Sequence, residues 1–162
     1  MSWLTRLLPE KVAGTIMLRY FGLTKIPMLF FCRPRLIENN ATTISVSIAL
    51  NRRTRNHLGS MYFGALAVGA DCAAGLIAMN QIQNSGKNVS LIFKSLSANF
   101  LKRAEGDVCF SCHQGVEITA LVNQAIATKE RVEMPVTVIA TVPDISDEVV
   151  AEFILVLTLK LR

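Results

Sequence analysis

One acid stands alone in the most apolar part of this chain. Between Ser60 and Asn80 the residues are Met, Tyr, Phe, Gly, Ala, Leu, Val, Cys and Ile, and Asp71 is the only charged residue among them. A carboxylate taken out of water must find a partner, take up a proton, or face a site that uses its charge. The run is entered through the polar stretch Asn56-His57-Leu58-Gly59-Ser60. A second constellation, Cys109-Phe110-Ser111-Cys112-His113, has the spelling of a c-type haem attachment. Its residues alternate as in a strand, which sends Cys109 and Cys112 to opposite faces. One cysteine pair and an adjacent histidine do not make a tetrahedral zinc set either, so no metal is expected.

Periodicity gives the elements that must position Asp71. Val12, Ile16, Met17 and Tyr20 recur at helical spacing after Pro9, predicting a helix over Pro9–Phe21 that Gly22 would end. Ile26–Cys32 is a short apolar segment before Arg33-Pro34-Arg35. From Thr42 the period becomes two: Ile44, Val46, Ile48 and Leu50 share one face of a half-buried strand. A polar loop over Asn51–Gly59 leads into the long helix. That helix is crowded with Gly64, Ala65, Ala67, Gly69, Ala70, Ala73, Ala74, Gly75 and Ala78, small residues that let a sheet approach on several sides. Turn residues at 83–88 precede strands expected at Val89–Leu101, Asp107–His113, Glu133–Val142 and Glu148–Leu161. Val116–Thr128 reads as a helix inserted among them, and Pro143–Asp147 as the turn of the last hairpin. The order is that of an α+β fold with an antiparallel sheet.

The 162 residues fit one domain. A 51% hydrophobic composition with 18% charged residues is apolar enough to suggest a subunit interface. The run around Asp71 has the length of a membrane span, but its central acid argues against one. Arg6, Glu10, Lys11 and Arg19 interrupt the apolar stretch that a secretory leader needs, so a cytoplasmic protein with reduced cysteines is expected. Residues 1–60 hold nine of the 17 Lys/Arg and two of the 12 Asp/Glu, making that part +7 and the remainder −2. Such a face is either simply solvated or attracts a polyanion: coenzyme A phosphates, an acidic carrier protein, or anionic lipid. The cations are scattered and lack interleaved aromatics, which speaks against nucleic acid. Trp3, Leu4, Leu7 and Leu8 could extend an amphipathic face that lies on a membrane or packs on the domain or its twin.

A strand, a loop, a long buried helix and four further antiparallel strands resemble the hotdog fold of acyl-thioesterases and dehydratases. Two motifs carry the resemblance over residues 36–162, with 1–35 as an N-terminal helical extension. Asn56, Gly64 and Asp71 match in spacing the phenylacetate-pathway type of thioesterase, in which an Asn precedes His-Gly-Gly and an Asp follows it by seven residues. Ala98-Asn99-Phe100-Leu101-Lys102-Arg103-Ala104-Glu105-Gly106-Asp107 is similar to the family's strand ending in a basic turn and Gly-Asp. The chain departs from that pattern where Tyr62-Phe63-Gly64 replaces His-Gly-Gly.

What the resemblance implies is hydrolysis of an acyl-coenzyme A or acyl-carrier thioester, with no cofactor besides the coenzyme A of the substrate. The backbone N–H groups of Phe63 and Gly64 would polarise the thioester oxygen at the helix start. Asp71 would be the general base, or the nucleophile, and Asn56 would orient water or the thioester. Tyr62 would line the pocket, and Lys102 and Arg103 would hold coenzyme A phosphates. Gly64 and Asp71 lie roughly 10 Å apart along a helix, too far to meet at one carbonyl. A shared reaction therefore requires two antiparallel helices in a homodimer or dimer of dimers. The alternatives are a non-catalytic acyl or lipid binder that keeps the fold, and a dehydratase, whose helical His is missing here.

Overall fold

The computed structural model describes residues 9–162, so Trp3, Leu4, Leu7 and Leu8 lie outside the described residues. Helix α1 covers Glu10–Lys25 and α2 covers Pro27–Cys32. Gly22 does not end the first helix as its type suggests. A side chain there would strike the backbone of Leu29 and Phe30, so this glycine lets α2 fold back against α1. The break falls instead at Ile26-Pro27, where proline opens α2 as its first residue.

Strand β1 (Arg35–Asn39) precedes β2 (Ile44–Ile48), the strand expected from Thr42 onward. Only Leu36 of β1 is buried, so no alternation marks this strand in the sequence. Helix α3 spans Phe63–Ser85, with Gly86 in the left-handed conformation (φ +65°) closing its end by an N–H bond to the Gln83 carbonyl. Strands β3 (Val89–Phe100) and β4 (Val108–Cys112), helix α4 (Gly115–Thr128), and strands β5 (Val132–Val142) and β6 (Ser146–Leu161) complete the chain. All six strands form one antiparallel sheet in the order β1-β2-β4-β5-β6-β3, leaving β1 and β3 as edges.

α3 lies across this sheet in contact with β2, β4, β5, β6 and β3, and α4 packs on its side. This is the hotdog fold. Ile44 and Ile48 of β2, Phe110 of β4, Ile77 of α3, and Phe153, Leu155 and Leu157 of β6 are fully enclosed in the layer between. Each such side chain contributes about 1.5–3 kcal/mol by leaving water, so the helix is held by many contacts, not by its own propensity. Its residues are apolar nearly all round, as a helix covered on several sides must be. By length and composition α3 is also the one described helix that could cross a membrane, but half of its most apolar window is buried within the protein.

Candidate functional site

The approach to α3 is built before the helix starts. Thr54 is completely buried; its hydroxyl donates to the Ala49 carbonyl (2.6 Å) and accepts from the Asn51 N–H (3.0 Å). Its carbonyl receives the Tyr62 N–H at 2.7 Å, while the Met61 N–H reaches the Ala104 carbonyl at 2.8 Å. These bonds fix the loop against the turn after β3. Asn56 organises the loop's own hairpin: its Oδ1 accepts the Leu58 N–H (2.9 Å), its Nδ2 donates to Ser60 Oγ (3.1 Å), and its N–H bonds the Ser60 carbonyl (2.8 Å). Ser60 takes one of the two Nδ2 hydrogens of this half-buried amide.

Tyr62 is the extended residue before α3, and no side chain caps the helix. The Tyr62 carbonyl accepts from Ala65 and Leu66. The N–H groups of Phe63 and Gly64 therefore come first in the helix with no acceptor among the described residues. With the helix dipole they make an electropositive spot suited to an oxygen that gains charge. Beside it opens a cavity of about 380 Å³, walled by Tyr62, Phe63, Leu66, Phe100 and the Asn56–Ser60 loop, with Lys102 and Arg103 at its margin. Aromatic rings continue inward: Tyr62 against Phe63 (4.6 Å between centroids), Phe63 against Phe100 (6.5 Å), and Phe100 against Phe153 (6.0 Å).

Asp71 does not line this cavity. It lies two turns along α3 on a half-exposed stripe that also includes Gly64, Val68, Gly75 and Met79, spaced three and four residues apart. Its carboxylate has no hydrogen-bond or ionic partner among the described residues. Burial pushes its pKa above the ordinary carboxylate range.

Lys102 is paired with Glu148, and Arg103 donates to the Leu58 carbonyl (2.7 Å) and faces Glu105 (3.1 Å). Both pairs are exposed and screened by solvent, so a polyphosphate could displace the acids. His57, a loop residue in the sequence, also lines the cavity. Ser60, Leu66 and Phe100 line the cavity though no spacing singled them out, and Thr54 anchors its wall through the Tyr62 N–H; only the crossing of the loop, α3 and the end of β3 brings them together. Cys109 and Cys112 lie on opposite faces of β4, half-buried and buried, with His113 outside the strand bonded to Thr43 Oγ1 at 3.1 Å.

The family model for a domain of unknown function, DUF4442, matches residues 14–158. The chain belongs to the DUF4442 family. Among solved structures, this DUF4442 protein is similar to the Pseudomonas aeruginosa protein PA5026, of unknown function and termed a probable thioesterase: TM-score 0.77, 23% identity, 96% of this chain and 97% of that one covered. A Chlorobaculum tepidum protein of unknown function matches with TM-score 0.80 at 12% identity, over 94% and 97% of the two chains. The Pseudomonas aeruginosa thioesterase PA1618, solved as a mutant, matches with TM-score 0.66 at 15% identity, over 97% and 98%. These likenesses show the shared fold. No curated protein matches the chain.

Proposed function

We propose that this DUF4442 protein is an acyl-thioesterase whose site is shared by two protomers and whose substrate is an acyl-coenzyme A or an acyl-carrier thioester. The observation that carries this reading is the pair of unfilled N–H donors at Phe63 and Gly64, beside an apolar cavity that Phe63 lines and Gly64 does not. The thioester carbonyl oxygen sits on those donors, and the acyl group enters between Phe63, Leu66 and Phe100. Asp71 of the partner subunit takes a proton from water as the water oxygen attacks the carbonyl carbon. The tetrahedral oxyanion then collapses, the C–S bond breaks, and the leaving sulfur takes the proton back from the partner's Asp71. Donors already aimed at the developing charge are worth about 2.7–4 kcal/mol each in comparable sites. Two structural facts support the shared site. Asp71 stands on a half-exposed stripe between Gly64 and Gly75 where a second helix could come close, and β3 is a long edge strand exposing Ile92, Leu96 and Phe100.

Subunit mixing tests this directly. Asp71→Ala and Asn56→Ala are each expected to hydrolyse thioesters poorly. Unfolded and refolded together, they regain about one quarter of the wild-type rate, because half the dimers are mixed and each holds one intact site. No recovery would assign the reaction to residues of a single chain. A second reading, a non-catalytic acyl binder, is favoured by the Phe63 ring beside the unfilled donors. It is identified by a fatty ligand retained in native mass spectrometry with no turnover across short, long and aromatic acyl groups.

A further inference from the structure

The N-terminal helices present an outward face that is unusually apolar. Val12, Ile16, Tyr20 and Leu23 follow one another at four-, four- and three-residue spacing along α1, and all are exposed, Tyr20 to 68% and Leu23 to 57%. Met17 stands beside this row, and the adjoining α2 also exposes Met28 and Phe31. The opposite side of α1 packs on β1, where Thr15 accepts the Leu36 N–H at 2.9 Å, and on α2 through Gly22. A helix packed on its own domain ordinarily turns polar side chains outward; this one turns aliphatic and aromatic ones.

The charge around that face is mainly positive, Glu10 at the start of α1 being the one acid on these two helices. Lys11, Arg19, Lys25, Arg33 and Arg35 are five cations in residues 11–37, a stretch without a single Asp or Glu. Lys11 and Lys25 stand exposed at the two ends of α1, Arg33 is exposed at the end of α2, and Arg19 borders the apolar row. The preceding residues have the same character, with Trp3, Leu4, Leu7 and Leu8 around Arg6. We propose that this face of α1 and α2 docks on an anionic lipid bilayer. The apolar row enters the headgroup boundary, Tyr20 takes the interfacial position that its ring and hydroxyl suit, and the cations meet lipid phosphates. Charge complementarity selects this occupant. A two-fold contact with a second copy would set these cations against one another, whereas an anionic membrane offers both the apolar layer and the counter-charge.

Flotation of the full chain with vesicles tests the proposal. Partitioning onto vesicles containing about 30 mol% phosphatidylglycerol is expected to exceed that onto pure phosphatidylcholine by about tenfold or more, and to fall as salt rises. Tyr20→Glu with Leu23→Glu lowers anionic binding by about tenfold or more while circular dichroism and solution mass stay unchanged. Should that pair disturb folding, Lys11→Glu with Lys25→Glu, at exposed helix ends, lowers it by about fivefold per lysine. Equal weak binding to both vesicle types overturns the proposal. So does a fall in solution mass for Tyr20→Glu with Leu23→Glu, which would give the face to a second copy of the chain.

Discussion

In the proposed reaction Asp71 couples folding and turnover with opposite signs. Its carboxyl is pushed up by burial, so the native chain keeps this proton at pH values where the unfolded chain has released it. Stability therefore falls as pH rises from the ordinary carboxylate range through the raised native pKa, and the loss is constant above it. Asp71→Asn removes that loss. Thermal melts should show equal Tm for variant and wild type in acid and a higher Tm for the variant at neutral pH. The proposed hydrolysis needs this carboxylate ionised as base, so kcat/KM should climb over the same window, and Asp71→Asn should lower it by about 100-fold or more. Phe63 makes a separate point. Its N–H belongs to the backbone and survives any substitution but proline, whereas its 59% exposed ring stands against Tyr62 and Phe100 at the cavity. Phe63→Ala is expected to keep the rate on small thioesters within about tenfold and to raise it on bulky acyl groups, read as kcat/KM across an acyl series.

Among the elements, three glycines separate packing from chemistry. A side chain at Gly69 would drive into the ring of Phe110, which is fully buried against Phe153 and has nowhere to turn. One at Gly115 would strike the Ala41–Thr42 backbone, where the start of α4 meets the turn before β2. Gly69→Ala and Gly115→Ala should each cost about 1–3 kcal/mol in denaturant unfolding. Gly64 differs, because the atoms that an added methyl would meet belong to the exposed ring of Tyr62, which is able to swing aside. Gly64→Ala should unfold within about 0.5 kcal/mol of wild type, and its effect should fall on turnover. The glycines at 64 and 69 look alike in the sequence; their neighbours set them apart.

At the scale of the whole molecule, the proposed site needs two copies of the chain. The protomer leaves β3 as an open edge and Asp71 outside the cavity, so a lone chain holds the donors and the base apart. Light scattering should give at least twice the 17.8 kDa protomer mass. Gly75 offers a clean probe, since an added carbon there would meet only Phe93, at an ordinary 3.8 Å. Gly75→Gln therefore suits the protomer but obstructs a second helix laid along the stripe. It should reduce the mass to that of one chain and abolish hydrolysis with Asp71 still in place.

Much of this protein is written locally. The long apolar helix with its single acid, the four strands after it, the helix inserted before β5 and the last hairpin follow from period, turn residues and the charge pattern. Those signals depend only on near neighbours along the chain. The tertiary structure alone decided that α1 runs past Gly22, that Arg35–Asn39 joins the sheet as β1, and that β3 lies at an edge after β6. It also gathered Thr54, Leu66 and Phe100 around the start of α3. These are matters of which distant segments meet. Such meetings are fixed by the shapes of side chains such as Phe110 and Leu36 and by the backbone space left at Gly22 and Gly115, which no spacing of residue types along a chain records.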